Sequence, residues 1–387
     1  MEKRIHKLLL QWTLISAMLF VVAACRDDKE LLMPETEDVD DITESRDLAG
    51  FYLLNEGKMG SNKDTLDYFD FASGQFTRNI YAEANQTVVQ ELGDVGNDLN
   101  IYGSRLYAVI NCSNFVEVMD VHTARHIGTI EVPNCRYVAF SGRYAYLTSY
   151  AGPVLISTDY KQIGYVAKID TATLQVVATC NVGFQPDGIA VDADGGKIYV
   201  ANSGGYMVPN YENTVSVIDI ETFTEERRIE VVNNLHRLCI DSHKQLWVSS
   251  RGDYFEQPSR LYCVDLQTES LCDSVDVAVG SFWLDGDSLY VCSNEFSYET
   301  YDNTASYAIV DVKHHTVVTR NFITDGTDER IQVPYGICVN PLTKDIFVTD
   351  ARNYVSPGVL YCFDKYGKKK WSVSTGDIPA HFALHYK

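Results

Sequence analysis

Near its middle the chain reads Pro186-Asp-Gly-Ile-Ala-Val-Asp-Ala-Asp-Gly-Gly-Lys-Ile-Tyr-Val-Ala201, which is two short apolar segments separated by a turn rich in Asp and Gly. A third segment, Thr214-Val-Ser-Val-Ile-Asp-Ile220, alternates with a period of two, and the fourth, Glu226–Val231, is more polar. Alternation of this kind predicts β-strands, and Asp-Gly pairs favour tight turns. The stretch therefore predicts four short strands, with the polar one at the outer edge.

The same unit recurs along the chain, marked by a hydrophobic residue followed by Asp at the end of a strand-like segment. These pairs lie 46 to 53 residues apart, at Phe69-Asp70, Met119-Asp120, Ile169-Asp170, Ile218-Asp219, Val264-Asp265, Val310-Asp311 and Phe363-Asp364. Repeats of this length with four short strands each are typical of β-propellers. The sequence therefore predicts an all-β, seven-bladed β-propeller of four-stranded blades over residues 49–387, with few helices.

The two ends of the repeat region are complementary. The first repeat begins at Gly50–Leu54, which matches the second strand of the other units, whereas Pro379–Leu384 matches the first strands at Pro186–Val191 and Pro334–Val339. We therefore expect the C-terminal strand to complete the N-terminal blade. Closure of the ring in this way leaves no exposed edge at the seam.

The N-terminal segment carries a targeting pattern. Residues 1–24 combine basic residues near the start with an apolar stretch from Leu14 to Ala24, as in a signal peptide. Val22-Ala-Ala-Cys25 resembles a bacterial lipobox, which implies cleavage before Cys25 and lipidation of its thiol. A transmembrane anchor is the alternative, although the apolar stretch is short for a membrane span.

Residues 25–48 are acidic and have almost no apolar periodicity, which predicts a flexible tether between the lipid and the propeller. Their first acids, Asp27, Asp28 and Glu30, resemble the surface-export signals of lipoproteins from gut anaerobes. We therefore expect a protein anchored in the outer membrane by its lipid alone and facing outside the cell.

Charge and cysteine content exclude some functions. The formal net charge of −21 argues against nucleic acid as a partner, because neutralising phosphates needs Lys and Arg. None of the ten cysteines stands in a zinc-binding pattern, and we expect no bound metal. Cys263 and Cys272 flank a tight turn, and a disulfide between them is an open alternative.

In a propeller, the loops that lead into the innermost strands and the loops that leave the second strands lie on one face. Two aligned positions lead into the innermost strands, namely Asn97, Arg136, Asp187, His236, Gly280, Tyr335 and Ala380, and then Asp98, Tyr137, Gly188, Arg237, Ser281, Gly336 and His381. The loops that leave the second strands are rich in aromatic and amide residues, as in Asn202–Tyr206, Ser250–Tyr254 and Asp350–Tyr354. An aromatic surface of this kind predicts a binding face on a rigid scaffold.

The residues favour a binding protein over an enzyme. No GxSxG, P-loop or GxGxxG motif is present. Glu56, Asp98 and Asp187 resemble the acidic funnel of propeller lactonases and dehydrogenases, which keeps an enzyme as the alternative. A surface module that binds protein or glycan is a further alternative.

The motifs Pro186–Asp192 and Lys197–Gly204 resemble the YncE-like and surface-layer-type seven-bladed propellers. Together with the lipobox, the acidic segment and the terminal Pro379–Leu384, they make the chain similar to BtuG-type surface lipoproteins that bind cobalamin. The resemblance implies capture of vitamin B12 or related corrinoids as ligands, with no cofactor, and transfer to a TonB-dependent outer-membrane transporter of the BtuB type.

The aromatic and amide-rich face is compatible with a corrinoid, which is bulky and carries several amide side chains. Arg and Asn side chains can pair with those amides, and Tyr rings can pack on the edges of the corrin ring. The candidate ligand-binding residues are Arg136, Asp187, Tyr206, Arg237, Arg251, Tyr254, Phe296, Tyr298, Arg352, Tyr354 and His381. We expect no catalytic residue among them, and coordination of cobalt by His236 or His381 is an open alternative.

Overall fold

The repeated apolar segments form β-strands that assemble into seven sheets, one for each repeat. The computed structural model describes residues 34–43, 47–88, 91–153, 156, 162–296 and 303–387, with backbone only at residues 296 and 303. The predicted signal peptide, Cys25 and Tyr298 lie outside the described residues, as does the side chain of Phe296.

Blade 1 contains five strands, in the order β1 (Glu35–Asp38), β4 (Gln75–Arg78), β3 (Thr65–Asp70), β2 (Leu48–Asn55) and β29 (Pro379–Tyr386). Each of the other blades has four strands in chain order. Blade 2 contains β5 (Gly96–Tyr102), β6 (Arg105–Ile110), β7 (Phe115–Asp120) and β8 (His126–Glu131). Blade 3 contains β9 (Cys135–Ser141), β10 (Tyr144–Ser149), β11 (Tyr165–Asp170) and β12 (Gln175–Asn181).

The remaining blades repeat this arrangement. Blade 4 contains β13 (Pro186–Asp192), β14 (Lys197–Asn202), β15 (Thr214–Asp219) and β16 (Thr224–Glu230). Blade 5 contains β17 (Leu235–Ile240), β18 (Gln245–Ser250), β19 (Arg260–Asp265) and β20 (Ser270–Val275). Blade 6 contains β21 (Ser281–Asp285), β22 (Ser288–Phe296), β23 (Asn303–Asp311) and β24 (Thr316–Thr319). Blade 7 contains β25 (Pro334–Val339), β26 (Ile346–Asp350), β27 (Pro357–Phe363) and β28 (Lys369–Asp377).

Helices are rare, as the sequence predicts. The described residues contain the short α-helix α1 (Ile80–Ala84) and a 3-10 helix at Thr327–Arg330. In this part of the chain no helix is long and apolar enough to cross a membrane.

The repeated Asp forms the turn between the third and fourth strands of each blade. In blade 1 the Oδ1 of Asp70 accepts hydrogen bonds from the backbone N–H groups of Ala72 and Ser73, at 2.7 and 2.9 Å. Backbone N–H groups shortly after the Asp donate in the same way at Asp120, Asp170, Asp219, Asp265, Asp311 and Asp364. An Asp side chain that binds the backbone two or three residues later stabilises a turn. The residue that marks the repeat in sequence therefore has one structural role in all seven blades.

The C-terminal strand closes the ring, and this prediction is confirmed. Strand β29 pairs antiparallel with β2, with Phe382 opposite Leu53 and Ala383 opposite Tyr52. It takes the innermost position of blade 1, which the N-terminal part of the chain leaves empty. The first and last residues of the propeller thus share one sheet.

The cores lie between blades, because each sheet buries both of its faces against its neighbours. At the seam, Phe51 of blade 1 lies 4.8 Å from Phe347 of blade 7, measured between ring centroids, and Trp371 joins the same cluster. Val109 and Leu147 belong to the corresponding cluster between blades 2 and 3. Packing of this kind holds the ring rigid and fixes the positions of the loops at its two ends.

Part of the predicted tether is ordered, which corrects the expectation for residues 25–48. Strand β1 lies within that segment and pairs with β4, and Glu35 forms an ion pair with Arg78. Val39 and Ile42 then pack against the core between blades 7 and 1. The edge of a sheet offers free backbone groups, so pairing there needs no apolar pattern in the added strand. The sequence signal for disorder was therefore misleading at these residues.

Candidate functional site

A central cavity of about 800 Å³ opens at the end of the ring where the innermost strands begin. We call this cavity the central cup and this end the upper face. Loops that lead into innermost strands meet there with loops that leave second strands, because neighbouring strands within a blade are antiparallel. Six of the predicted binding residues line the cup, namely Arg136, Tyr206, Arg237, Arg251, Tyr254 and Tyr354.

Asp187 lies beneath one wall of the cup and holds the side chains of that wall in place. Its side chain is fully buried, and its carboxylate accepts hydrogen bonds from Arg136 Nε at 3.0 Å and from an Arg251 η nitrogen at 2.8 Å. The Tyr150 hydroxyl donates to the same carboxylate at 2.6 Å. Burial by itself would raise the pKa of Asp187, but the two arginines outweigh it and hold that pKa below its usual value. Asp187 is therefore ionised and fixes two arginines that belong to different blades.

Aromatic rings support the same wall. The guanidinium of Arg136 lies over the Tyr150 ring, 4.8 Å from its centroid, and Tyr150 contacts Tyr206 edge to face. Burial alone would lower the pKa of Arg136, whereas Tyr150 and Asp187 raise it above its usual value. Arg136 thus keeps its charge, and its position is fixed by an ion pair and by a ring.

Arg237 and His236 continue the wall from blade 5. Arg237 lies over the ring of Tyr137 at 5.7 Å, and its Nε donates to the carbonyl of Gly280 at 3.3 Å. The Tyr137 hydroxyl and His236 Nε2 lie 2.8 Å apart, whereas the buried Nδ1 of His236 has no hydrogen-bond partner among the described residues. Burial, together with Arg251 and Arg237, lowers the pKa of His236 far below its usual value. His236 is therefore neutral at neutral pH.

The opposite wall is acidic and aromatic. Glu56 accepts a hydrogen bond from the Tyr335 hydroxyl at 2.8 Å, and its other oxygen lies 3.0 Å from His381 Nε2. Tyr335 contacts Tyr354 edge to face at 5.9 Å. Burial, followed by the charge of Glu56, raises the pKa of Tyr335 well above its usual value, so this hydroxyl stays protonated. The cup therefore has a cationic wall facing a wall on which Glu56 is hydrogen-bonded to Tyr335 and lies close to His381.

A second cavity, of about 840 Å³, lies beside the cup on the upper face, and we call it the side groove. Arg136 and Tyr206 line both cavities and separate them. The side groove also contains the amides of Asn111 and Asn134, which are hydrogen-bonded to each other at 2.6 Å. A ligand too large for the cup can therefore extend into an amide-rich groove.

The remaining predicted residues occupy other positions. His381 is buried beneath the cup, at the top of the central channel between the innermost strands. Arg352 is exposed in the loop after β26 and does not line the described cup. Phe296 and Tyr298 cannot be placed, because the side chain of Phe296 and all of Tyr298 lie outside the described residues.

The candidate set omits several residues that build the site. Tyr137, His236 and Tyr335 line the cup, and Tyr150 and Glu56 fix their neighbours. The first three occupy the two aligned positions before the innermost strands, so the repeat alignment contained the signal. Among the described residues, no group of three His, Cys, Asp or Glu side chains is placed to hold a metal ion.

Comparison with known proteins gives one family match and a set of distant structural similarities. A family model described as a domain of unknown function (DUF5074) matches residues 49–377, and no curated protein sequence matches the chain. Hydrazine synthase of Kuenenia stuttgartiensis is similar with a TM-score of 0.55 and 17% identity, over 70% of this chain and 76% of that chain. The computationally designed protein Ika8 is similar with a TM-score of 0.53 and 10% identity, over 91% of this chain and 94% of that chain. At these identities the likeness concerns the fold alone.

Proposed function

The chain belongs to the DUF5074 family, whose function the family description leaves open, and we propose that it captures cobalamin or a related corrinoid in the central cup. The observation that carries the proposal is the construction of the cup. Arginines and tyrosines from several blades converge on one cavity of about 800 Å³, and a fully buried carboxylate holds two of the arginines. The cavity has the volume and the mixture of aromatic and polar side chains that binding sites for bulky organic molecules have.

The chemistry of the cup suits a ligand with many carbonyl and amide groups. Arginine N–H groups donate to carbonyl oxygens, and tyrosine offers both a ring face and a hydroxyl. Tyr206 and Tyr254 stand at the mouth, 39% and 44% exposed, where they can pack on the apolar edges of a corrin ring. The amides of the side groove extend the same chemistry for the peripheral groups of a large ligand.

The site is also preorganised. Arg136 is fixed by Asp187 and by the Tyr150 ring, and Arg251 is fixed by the other oxygen of Asp187. Side chains that are already ordered lose little conformational entropy on binding, which favours high affinity for a scarce nutrient.

The direction of β1 supports delivery toward a membrane. β4 runs toward the upper face, and β1 is antiparallel to it, so β1 begins on the side of the cup. Cys25, the proposed lipidation site, precedes Glu35 by a segment that can span at most about 35 Å when fully extended. A lipid at Cys25 would therefore hold the cup near the outer membrane, within reach of a TonB-dependent transporter of the BtuB type.

Calorimetry with cyanocobalamin tests the proposal directly. We expect one-to-one binding, and we expect Tyr254→Ala to weaken it by about tenfold to a hundredfold because an exposed ring at the mouth is lost. Tyr366→Ala is the matched control, because Tyr366 is an exposed tyrosine in the turn after Asp364 at the opposite end of the ring. Absence of binding to any corrinoid, or equal effects of the two substitutions, would contradict the proposal.

A further inference from the structure

The cationic wall of the cup carries more positive charge than its carboxylates balance. Arg136, Arg237 and Arg251 all act electrostatically on His236, and all three also act on Tyr137, so they form one group. Asp187 is the carboxylate that forms ion pairs with Arg136 and Arg251. Among the described residues, no carboxylate forms an ion pair with Arg237. Two of the three guanidinium groups thus share the carboxylate of Asp187, and Arg237 acts electrostatically on Asp98, in a protein whose formal net charge is −21.

Unused hydrogen-bonding capacity accompanies this charge. The Nε of Arg237 donates a hydrogen bond to the Gly280 carbonyl, and its η nitrogens have no hydrogen bond to a described residue. The side chain of His236 is 8% exposed and lines the cup, and its Nδ1 has no partner in the described structure. A buried polar atom without a partner is costly, and a ligand is one way to satisfy it.

The other carboxylates near the cup do not serve this wall. Glu56 is committed to Tyr335 and His381 on the opposite side. Glu256 and Glu295 also line the cup, but among the described residues neither forms an ion pair with Arg136, Arg237 or Arg251. The largest influences on Arg251 after burial are Asp187, Tyr254 and Tyr150, which include one carboxylate. Within the described residues, the ion pairs of these three arginines therefore involve a single carboxylate, that of Asp187.

We propose that this wall is an anion subsite, in which Arg237, Arg251 and His236 bind an ionised phosphate group of the captured ligand. Guanidinium groups bind phosphate oxygens through paired, charge-assisted hydrogen bonds. His236 contributes its Nδ1–H as a donor in the tautomer whose Nε2 accepts a hydrogen bond from the Tyr137 hydroxyl. The inference rests on the proposed function and narrows it, because cobalamin carries one phosphodiester in its nucleotide loop and cobinamide carries none.

Two ligands and two substitutions test the subsite. Affinities for cyanocobalamin and dicyanocobinamide are measured by calorimetry for the wild type, for Arg237→Gln and for the matched control Arg352→Gln, an exposed arginine outside the cup. We expect R237Q to lose at least tenfold in affinity for cyanocobalamin and less than threefold for dicyanocobinamide, and R352Q to match the wild type for both. Equal losses for the two ligands would overturn the subsite and leave corrinoid capture standing.

A second arm uses inorganic pyrophosphate and does not depend on corrinoid binding. We expect pyrophosphate to raise the Tm of the wild type and of R352Q by at least about 2 °C over sodium chloride of equal ionic strength, and to leave R237Q unchanged. If the wild type binds neither corrinoid, the proposed function fails, and the pyrophosphate comparison alone decides the subsite. The same shift in R237Q as in the wild type would then overturn it.

A separate observation concerns two cysteines at the outer edge of blade 5. The Sγ atoms of Cys263 and Cys272 lie 3.0 Å apart, and both cysteines are free thiols. The pairing of β19 with β20 shifts register between Cys263 and Val264, so Cys272 is the extra residue of a β-bulge. A bulge turns the extra side chain toward the face of its neighbour, which explains how Cys272 reaches Cys263.

A proton acceptor stands beside this pair. His315, from the turn after β23, has its Nδ1 2.9 Å from an Asp273 oxygen and its Nε2 3.9 Å from Cys263 Sγ. Asp273 accepts a hydrogen bond from the Nδ1–H group, which leaves Nε2 as an acceptor that Cys263 shares with the side-chain amide of Gln245, 3.1 Å away. Cys272 is exposed, whereas burial raises the pKa of the Cys263 thiol, so Cys272 is the accessible sulfur for a first exchange.

We infer that Cys263 and Cys272 form a reversible disulfide by exchange with a small-molecule or protein disulfide. The Cys272 thiolate attacks the oxidant disulfide and releases one thiolate, which takes up the proton that Cys272 lost. Cys263 then passes its proton to His315, attacks the Cys272 sulfur and releases the second thiol of the oxidant, which leaves with that proton. The protein dithiol is oxidised by two electrons, and the oxidant is reduced to two thiols.

Mass spectrometry after treatment with oxidised glutathione tests this pair. We expect an intramolecular disulfide that lowers the mass by two hydrogens in the wild type. In Cys263→Ser we expect a stable glutathione adduct on Cys272, and in His315→Gln a slower conversion from adduct to disulfide. Cys112, an exposed cysteine elsewhere, is replaced by Ser in all variants so that its reaction does not interfere. A Cys112→Ser protein that keeps both thiols, or ends as a mixed disulfide, would overturn the inference.

Discussion

The two ends of the ring are built on opposite principles. At the lower end each blade makes the same turn, and an Asp carboxylate accepts backbone N–H groups in all seven. At the upper end the loops differ from blade to blade, and their side chains bond across blades, as Asp187 does with Arg136 and Arg251. Repetition therefore marks the residues that make the fold, and departure from the repeat marks the residues that make the site.

Aspartate shows the contrast within one residue type. Asp219 sits in an exposed turn and binds backbone groups two and three residues later and the ammonium of Lys197 in the same blade. Asp187 is fully buried and binds residues 51 and 64 positions away. The partners of Asp219 all lie in blade 4, whereas Asp187 joins residues of three blades. We expect the consequences of substitution to differ accordingly.

The largest loss of stability should come from removing β29, the strand that closes the ring. A chain that ends at Ile378 lacks β29, which leaves Leu53 and Leu54 of β2 without their cross-strand partners. We expect loss of the cooperative thermal transition, followed by circular dichroism, whereas a chain that lacks Lys387 alone should keep it. Identical melting of the two truncated proteins would show that the ring does not need β29 in order to stay folded.

Asp187→Asn should be the most damaging single change at the upper end. It removes the buried charge that pairs with two arginines, and breaking a buried ion pair typically costs about 3–5 kcal/mol. Urea unfolding should show this loss in the free energy of unfolding, with Asp219→Asn as the control for the same chemical change at the lower end. Similar losses for both variants would erase the contrast between the two ends.

Asp67 belongs neither to the repeated turns nor to the cup, and it should make the stability of the propeller depend on pH. Burial raises its pKa to about 6, despite hydrogen bonds from Asn79, Asn55 and Gly376. Because the folded pKa is raised, its contribution to stability is present below about pH 4 and is lost as the pH rises through about 6. The shift corresponds to about 3 kcal/mol. The free energy of unfolding, measured in urea from pH 4 to 7, should decline in the wild type by most of this amount relative to Asp67→Asn.

The smallest effect should be the loss of one turn at the lower end. The Thr222 backbone N–H and the Lys197 ammonium lower the pKa of Asp219 to about 2. Because the folded pKa is lowered, its contribution is present above about pH 4 and is lost as the pH falls toward 2. Asp219→Ala should lower the Tm by about 1–2 °C at pH 7 and by less at pH 2. Unchanged cobalamin binding in this variant would show that the turns at the lower end stabilise the fold without contributing to the cup.

The prediction of the fold succeeded where a local rule repeats. The hydrophobic residue followed by Asp marked the repeated turns, and the match of Pro379–Leu384 to first strands predicted that the C-terminal strand closes the ring. The prediction failed for β1, because Glu35–Asp38 become a strand through the open edge of β4 rather than through their own composition. Within the site, Arg352 and Arg251 follow second strands in the same way, yet only Arg251 reaches Asp187.

The sequence by itself determined the number of blades, the strands within them, the closing strand and the end of the ring that carries variable loops. Periodicity and turn chemistry are local, so they can be read without knowing what lies across the ring. The tertiary structure decided which of those loop residues meet. Tyr137 and His236 are hydrogen-bonded although they are 99 residues apart in the chain. Glu56, near the start of the propeller, accepts a hydrogen bond from Tyr335, near its end. Their distances depend on the radius and closure of the whole ring, which no single repeat encodes.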